Sequence, residues 1–188
     1  MSSGALIKGS GITNTINFVK SKYGTSALEE VLAAMPDPSR QAIASTLATG
    51  WYPVEQIGDL LTAMKTTIGK GKPDFLYSVS IDASKATFNL VYKVFFKLGS
   101  PSYIISKVTS VWSTLVNKGE LKVVDKSDKH IIVRLTDFPY KNTDYCAERL
   151  RGWFRAPLEL SGCTITEASH TACTSKGAPY CEWKYRWS

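Results

Sequence analysis

The chain has 188 residues, 44% of them hydrophobic and 21% charged, which fits one domain over 1–188 with a core of its own. No stretch reaches the ~18 uninterrupted apolar residues of a transmembrane helix. Net charge is +7, but the 23 basic residues are spread along the chain, with the richest patches at Lys65–Lys72 and Lys118–Lys129. No basic stripe of the kind nucleic-acid binding needs stands out, so nucleic acid is not an expected partner. Met1–Leu6 lacks a basic segment leading into a long apolar run, so a cytoplasmic protein without a signal peptide is expected.

The first part, residues 1–72, reads as helices. Ile12, Ile16, Phe18 and Val19 suggest a helix over 11–22, with Gly9-Ser10-Gly11 as a flexible lead-in. Ser26-Ala-Leu-Glu29 has the form of a capping box opening a helix to Met35, which Pro36 and Pro38 end. Ser39 to Leu47 is a further short helix. Pro53 suits a first helical turn, and behind it Val54, Ile57, Leu60, Leu61, Met64 and Ile68 recur at helical spacing.

The second part, 73–188, opens with a long helix over 74–98. Phe88, Leu90, Val91, Val94, Phe95 and Phe96 crowd its second half, as on a helix buried on more than one side. Gly99-Ser100-Pro101 breaks it. Ile104, Ile105, Val108, Val111, Trp112 and Leu115 mark the next amphipathic helix. At Gly119 the period falls from 3.6 to 2. Leu121–Val124 and Ile131–Leu135 flank a turn and read as a hairpin. Asn142 to Leu158 returns to helix, with Cys146, Leu150, Trp153, Phe154 and Leu158 on one face. Thr164–Cys173 and Cys181–Trp187 form a second hairpin. The fold class is therefore α+β: N-terminal helices packed on a four-stranded antiparallel sheet, in the order strand-strand-helix-strand-strand.

The last strand places Cys181, Trp183, Tyr185 and Trp187 on one face and Glu182, Lys184 and Arg186 on the other, and the apolar set must be the covered face. Folding the hairpin about Gly177 sets Cys173 opposite Cys181, and the helix carrying Cys146 must cover the same face. Three sulfurs can thus converge, and with one nitrogen or carboxylate they make the ligand set of a structural zinc ion. His170 is the fourth candidate. Strict alternation puts it on the wrong face, so a bulge between 170 and 173 is required. Glu167 shares the parity of Cys173 and is the fallback. Cys163 shares it too, farther down the strand. Buried thiols without metal remain an equal alternative, because cysteine often serves as a small core residue. A disulfide is disfavoured in a reducing compartment.

The segment Gly152-Trp153 … His170-Thr-Ala-Cys173 … Lys176-Gly177-Ala-Pro-Tyr-Cys181-Glu-Trp183 resembles the end of 4-vinyl-reductase-type small-molecule-binding domains, shared by phenol-sensing transcription activators and a bacteriochlorophyll-synthesis protein. That family is related in fold to haem-based nitric-oxide sensor domains and to core subunits of the TRAPP vesicle-tethering complex, and a similar family of unknown function is expanded in myxobacteria. Its closing pattern is a carboxylate, two residues, a Cys, a glycine-containing loop and a second Cys before an aromatic strand. Here His170 stands where that carboxylate would be. The resemblance covers about 45 residues. It implies a pocket for a small apolar molecule or lipid, a homodimer through helices, and a zinc site of Cys146, His170, Cys173 and Cys181.

No nucleophile–base order, phosphate loop or dinucleotide fingerprint appears, so a sensor or adaptor rather than an enzyme is expected. The alternative is a TRAPP-like interaction module without a ligand. His130 and His170, the two histidines, both fall on expected strands. A haem site asks for an axial ligand such as a helical histidine, so no haem is expected.

Overall fold

The computed structural model describes residues 2–96 and 100–188. A short strand β1 (Leu6–Lys8) leads into helix α1 (Gly9–Tyr23), followed by α2 (Thr25–Ala33), α3 (Asp37–Ala44), strand β2 (Trp51–Pro53) and α4 (Val54–Thr67). β1 and β2 pair antiparallel as a two-stranded sheet. Sequence periodicity misses both strands because three residues are too few to show alternation. Gly9-Ser10-Gly11 is accordingly no flexible lead-in but the first turn of α1. A Cβ on Gly9 would lie 2.0 Å from the Leu47 carbonyl oxygen, so glycine is what lets α1 meet the 47–50 loop. The expected capping box is absent: α2 starts at Thr25 behind Gly24 (φ 92°), with no side-chain cap. Tight turning from α1 into α2 takes precedence over capping there.

Helix α5 (Phe75–Phe96) is the long helix expected. The burial anticipated for Leu90, Val91, Val94, Phe95 and Phe96, like the positions of Leu98, Gly99 and the Val108 side chain, lies outside the described residues. The next helix is split, into α6 (Pro101–Ser110) and a single turn α7 (Trp112–Leu115). Ser100 caps α6 by accepting the Tyr103 N–H.

Strands β3 (Glu120–Lys126) and β4 (His130–Thr136) form the first hairpin. β5 (Ile165–Ala172) and β6 (Cys181–Trp187) form the second, and all join in one antiparallel sheet ordered β3-β4-β6-β5. Between the hairpins the chain makes a π-helical segment, Asp144–Leu150, continued by α8 (Arg151–Leu160). The α+β class and the strand-strand-helix-strand-strand order read from the sequence are those observed. On β6, Cys181, Trp183, Tyr185 and Trp187 are all buried under this helical crossing. Two ring donors fasten it: Trp183 Nε1–H donates to the Cys146 carbonyl at 2.9 Å and the Tyr185 hydroxyl to the Arg151 carbonyl at 2.7 Å. Buried aromatics with polar tips need such partners. Helix α5 packs over α8, where Gly152 abuts the α5 backbone.

Candidate metal centre and ligand cavity

The end of β5 decides where His170 points. His170 pairs with Trp183, Ala172 pairs with Glu182, and the register slips between them. That bulge inverts the parity of the strand relative to Cys173, so His170 reaches the covered face, stacked on the Trp183 ring at 5.3 Å between centroids. Cys173 then starts a 3-10 turn, Thr174–Lys176, closed by Gly177 in the left-handed conformation (φ 89°). With Ala172 opposite Glu182, Cys173 and Cys181 face each other across the mouth of the loop.

The donor atoms of His170, Cys173 and Cys181 all lie within 4.8 Å of one another. Ligand atoms on a zinc tetrahedron stand roughly 3.3–3.8 Å apart, given metal–ligand bonds of about 2.0–2.3 Å, so small side-chain adjustments close the set. Cys146, buried on the π-helical segment, hydrogen-bonds the Cys181 sulfur. The Cys181 sulfur is held well below the usual thiol range. The Cys146 hydrogen bond is the largest cause; burial opposes it, and donors from His170 and from the Thr174 side chain and backbone add to it. Cys146 is pushed the other way, first by that same bond and then by burial. The His170 Nε2 atom is buried and has no hydrogen-bond partner. A buried ring nitrogen without a well-formed hydrogen bond, set among cysteine sulfurs, is what a metal ion would satisfy.

Glu167, the fallback ligand, is corrected. The same slip that brings His170 round leaves Glu167, paired opposite Arg186, on the open face, where Lys184 (3.5 Å) and Arg186 (3.2 Å) pair with it. Cys163 lies outside the cluster, its thiol donating to the Leu158 carbonyl. His130 sits at the β3–β4 turn between Asp125 (2.9 Å) and Ser127 (2.6 Å).

On its other side the π-helical segment borders a cavity of about 360 Å3. β1 and α1 wall it from the N-terminal part, through Ile7, Gly11, Asn14 and Thr15. α5, α7 and α8 wall it from the rest, through Ser84, Phe88, Trp112, Leu115 and Trp153, and the π-helical segment adds Tyr145 and Arg149. Sequence reading did not single out these last two. The only hint was that Arg149 follows Tyr145 by four residues inside an otherwise apolar helix. The segment is anchored from outside by Lys65 of α4, which bonds Asp144 (2.6 Å) and Glu148 (3.0 Å), while Glu148 also accepts the Leu76 N–H at the start of α5 (3.0 Å).

No protein-family model and no curated protein matches the sequence. Solved structures do match the fold. An H-NOX protein from S. oneidensis in the Fe(II)NO ligation state superposes with TM-score 0.71 at 12% identity, over 97% of this chain and 99% of that one. The Fe(II) unliganded H-NOX protein from K. algicida gives 0.67 at 12% identity, over 97% of each chain. A structure concerned with modulating haem redox potential through porphyrin distortion gives 0.62 at 13%, over 97% and 99%. The fold relation to haem nitric-oxide sensors implied by the sequence resemblance is thus observed.

The expectation that haem has no place here is overturned, since solved proteins of this fold include ones that carry haem. The positions of His130 and His170 bear on an axial ligand and not on the fold. The described cavity wall itself contains no His, Cys or Met. It has one tyrosine, Tyr145, whose phenol burial keeps protonated, well above its usual range. The described residues of this wall therefore do not fit axial ligation of a haem iron, and what the wall offers is a largely apolar surface with two cations, Lys8 and Arg149. No helix among the described residues is long and apolar enough to cross a membrane.

Proposed function

We propose that the chain is a non-enzymatic sensor domain of 4-vinyl-reductase type, one domain over 1–188, that takes a small apolar-bodied molecule between its 1–72 and 73–188 parts. The observation that carries this reading is the cavity: about 360 Å3, within the roughly 300–1,000 Å3 of small-molecule sites, with walls drawn from both parts. A TRAPP-like module without a ligand would have a filled core there. Cys146, His170, Cys173 and Cys181 hold a structural zinc ion in this proposal, on the strength of the converging donors and the orphaned His170 nitrogen. Such an ion would tie the π-helical segment to the β5–β6 loop, and the same segment presents Arg149 to the cavity. Ligand occupancy and the rigidity of the sheet end are then mechanically linked. Output through a homodimer rests on the resemblance alone.

Trp112 and Trp153 line the cavity, so the test is quenching of tryptophan emission by ω-bromooctanoate, in the wild type and in Thr87→Phe, which fills the space from α5. Saturable quenching that the variant loses is expected. Absence of saturable quenching in the wild type, or its full retention in Thr87→Phe, sinks the cavity reading.

A further inference from the structure

Among the described residues the cavity wall carries two cations and no carboxylate. Lys8 is occupied elsewhere: its ammonium donates to the Thr49 carbonyl at 2.9 Å and stands 4.3 Å from the Trp51 ring centroid. Arg149 is different. Its backbone carbonyl accepts the Ser80 hydroxyl at 2.7 Å, but no described residue forms an ion pair or hydrogen bond with its guanidinium. The adjacent acid, Glu148, is taken by Lys65 and the Leu76 N–H. Burial pulls the Arg149 pKa below the ordinary range, with only Tyr145 opposing, yet arginine remains charged at neutral pH.

Arg149 is half-buried, and its guanidinium lines the cavity without a counter-charge among the described residues, an arrangement that favours an anion beside it. Around it the wall is apolar: Phe88, Trp112, Leu115, Leu150 and Trp153. We infer that the cavity's ligand is an amphipathic monocarboxylate, its acid group held by the Arg149 guanidinium and its apolar body packed against Trp112 and Trp153. The planar fork of arginine matches a carboxylate in bidentate fashion, and the two tryptophans supply flat apolar contact. This inference rests on the cavity reading above and specifies its ligand class.

The experiment compares ω-bromooctanoate with ω-bromooctan-1-ol as quenchers of tryptophan emission, in the wild type and in Arg149→Met. A charge-assisted pair in a dry site is expected to give the acid at least about tenfold tighter binding than the alcohol, and Arg149→Met should abolish that preference while leaving alcohol binding in place. Ligand-free Arg149→Met should melt at or above the wild-type temperature, because a half-buried charge without a described counter-charge has been replaced by an apolar side chain. Equal affinities of acid and alcohol in the wild type overturn the inference and leave the cavity reading standing, whereas failure of both to quench removes both. Retention of the acid preference in Arg149→Met, or a ligand-free melt well below wild type, overturns it by showing that Arg149 does something else. Haemin is the third probe: Arg149-dependent haemin binding without octanoate binding would place a porphyrin's carboxylates there and overturn the monocarboxylate assignment.

Discussion

Gly152→Ala probes the contact that sets the distance between the long helix and the crossing helix, and so the width of the cavity. A Cβ at 152 would lie 2.6 Å from the Tyr77 carbonyl oxygen, 2.7 Å from Ser80 Cβ and 3.1 Å from the Ile81 nitrogen. Two of these three are backbone atoms of α5, which cannot rotate away. The helices would have to part by several tenths of an ångström. Overpacking of this kind costs about 1–3 kcal/mol. Parting also stretches the 2.7 Å bond from the buried Ser80 hydroxyl to the Arg149 carbonyl, worth about 1 kcal/mol. Against this, alanine is a better helix former than glycine by about 1 kcal/mol. The first effects win, and a net loss of about 1–3 kcal/mol is expected. For a domain of this size that lowers the melting temperature by about 2–12 °C, at about 2–4 °C per kcal/mol. Calorimetry of the variant beside the wild type reads it directly. A variant as stable as the wild type, or more so, would refute the close approach of α5 and α8 and with it the account of how the cavity wall is held.

Protein purified without added metal is expected to contain about one zinc per chain by elemental mass spectrometry, and Cys146→Ser to lose most of it. Metal-free wild-type protein would make the cluster a set of core thiols. Glu159 is half-buried; burial by itself would raise its carboxyl pKa, but bonds from Lys85 and Arg155 prevail and hold it below its usual 4.5. A depressed folded-state pKa contributes stability that is present above the unfolded value and lost as pH falls through the folded one. Melting temperature should therefore fall below about pH 4.5 more steeply in the wild type than in Glu159→Gln. Parallel pH profiles would refute the assignment.

The class of fold was legible because the signals that carry it are local. The change of period at Gly119 and the alternation on Cys181–Trp187 follow from the geometry of a strand with one covered face, and the structure places both hairpins and the buried β6 face accordingly. Short or compensated features were not legible. β1 and β2 pair through three residues each, and the Ser26–Glu29 box lost to the turn at Gly24.

The candidate metal site divides along the same line. The sequence by itself determined that Cys173 and Cys181 flank one loop, and that Cys146 rides on the helix covering them. It also determined that His170 needs a bulge to join them. Only the tertiary structure decided that the bulge exists, and that it sends Glu167 to the opposite face as it brings His170 round. A register slip of one residue reverses every side chain beyond it, and its energy is set by pairing with the neighbouring strand, not by the residues of β5 alone. The cavity was decided the same way. Its walls come from residues more than a hundred positions apart, so Arg149 is unremarkable in sequence. It becomes a cation facing an apolar cavity only when β1, α1, α5 and the π-helical segment come together beside it.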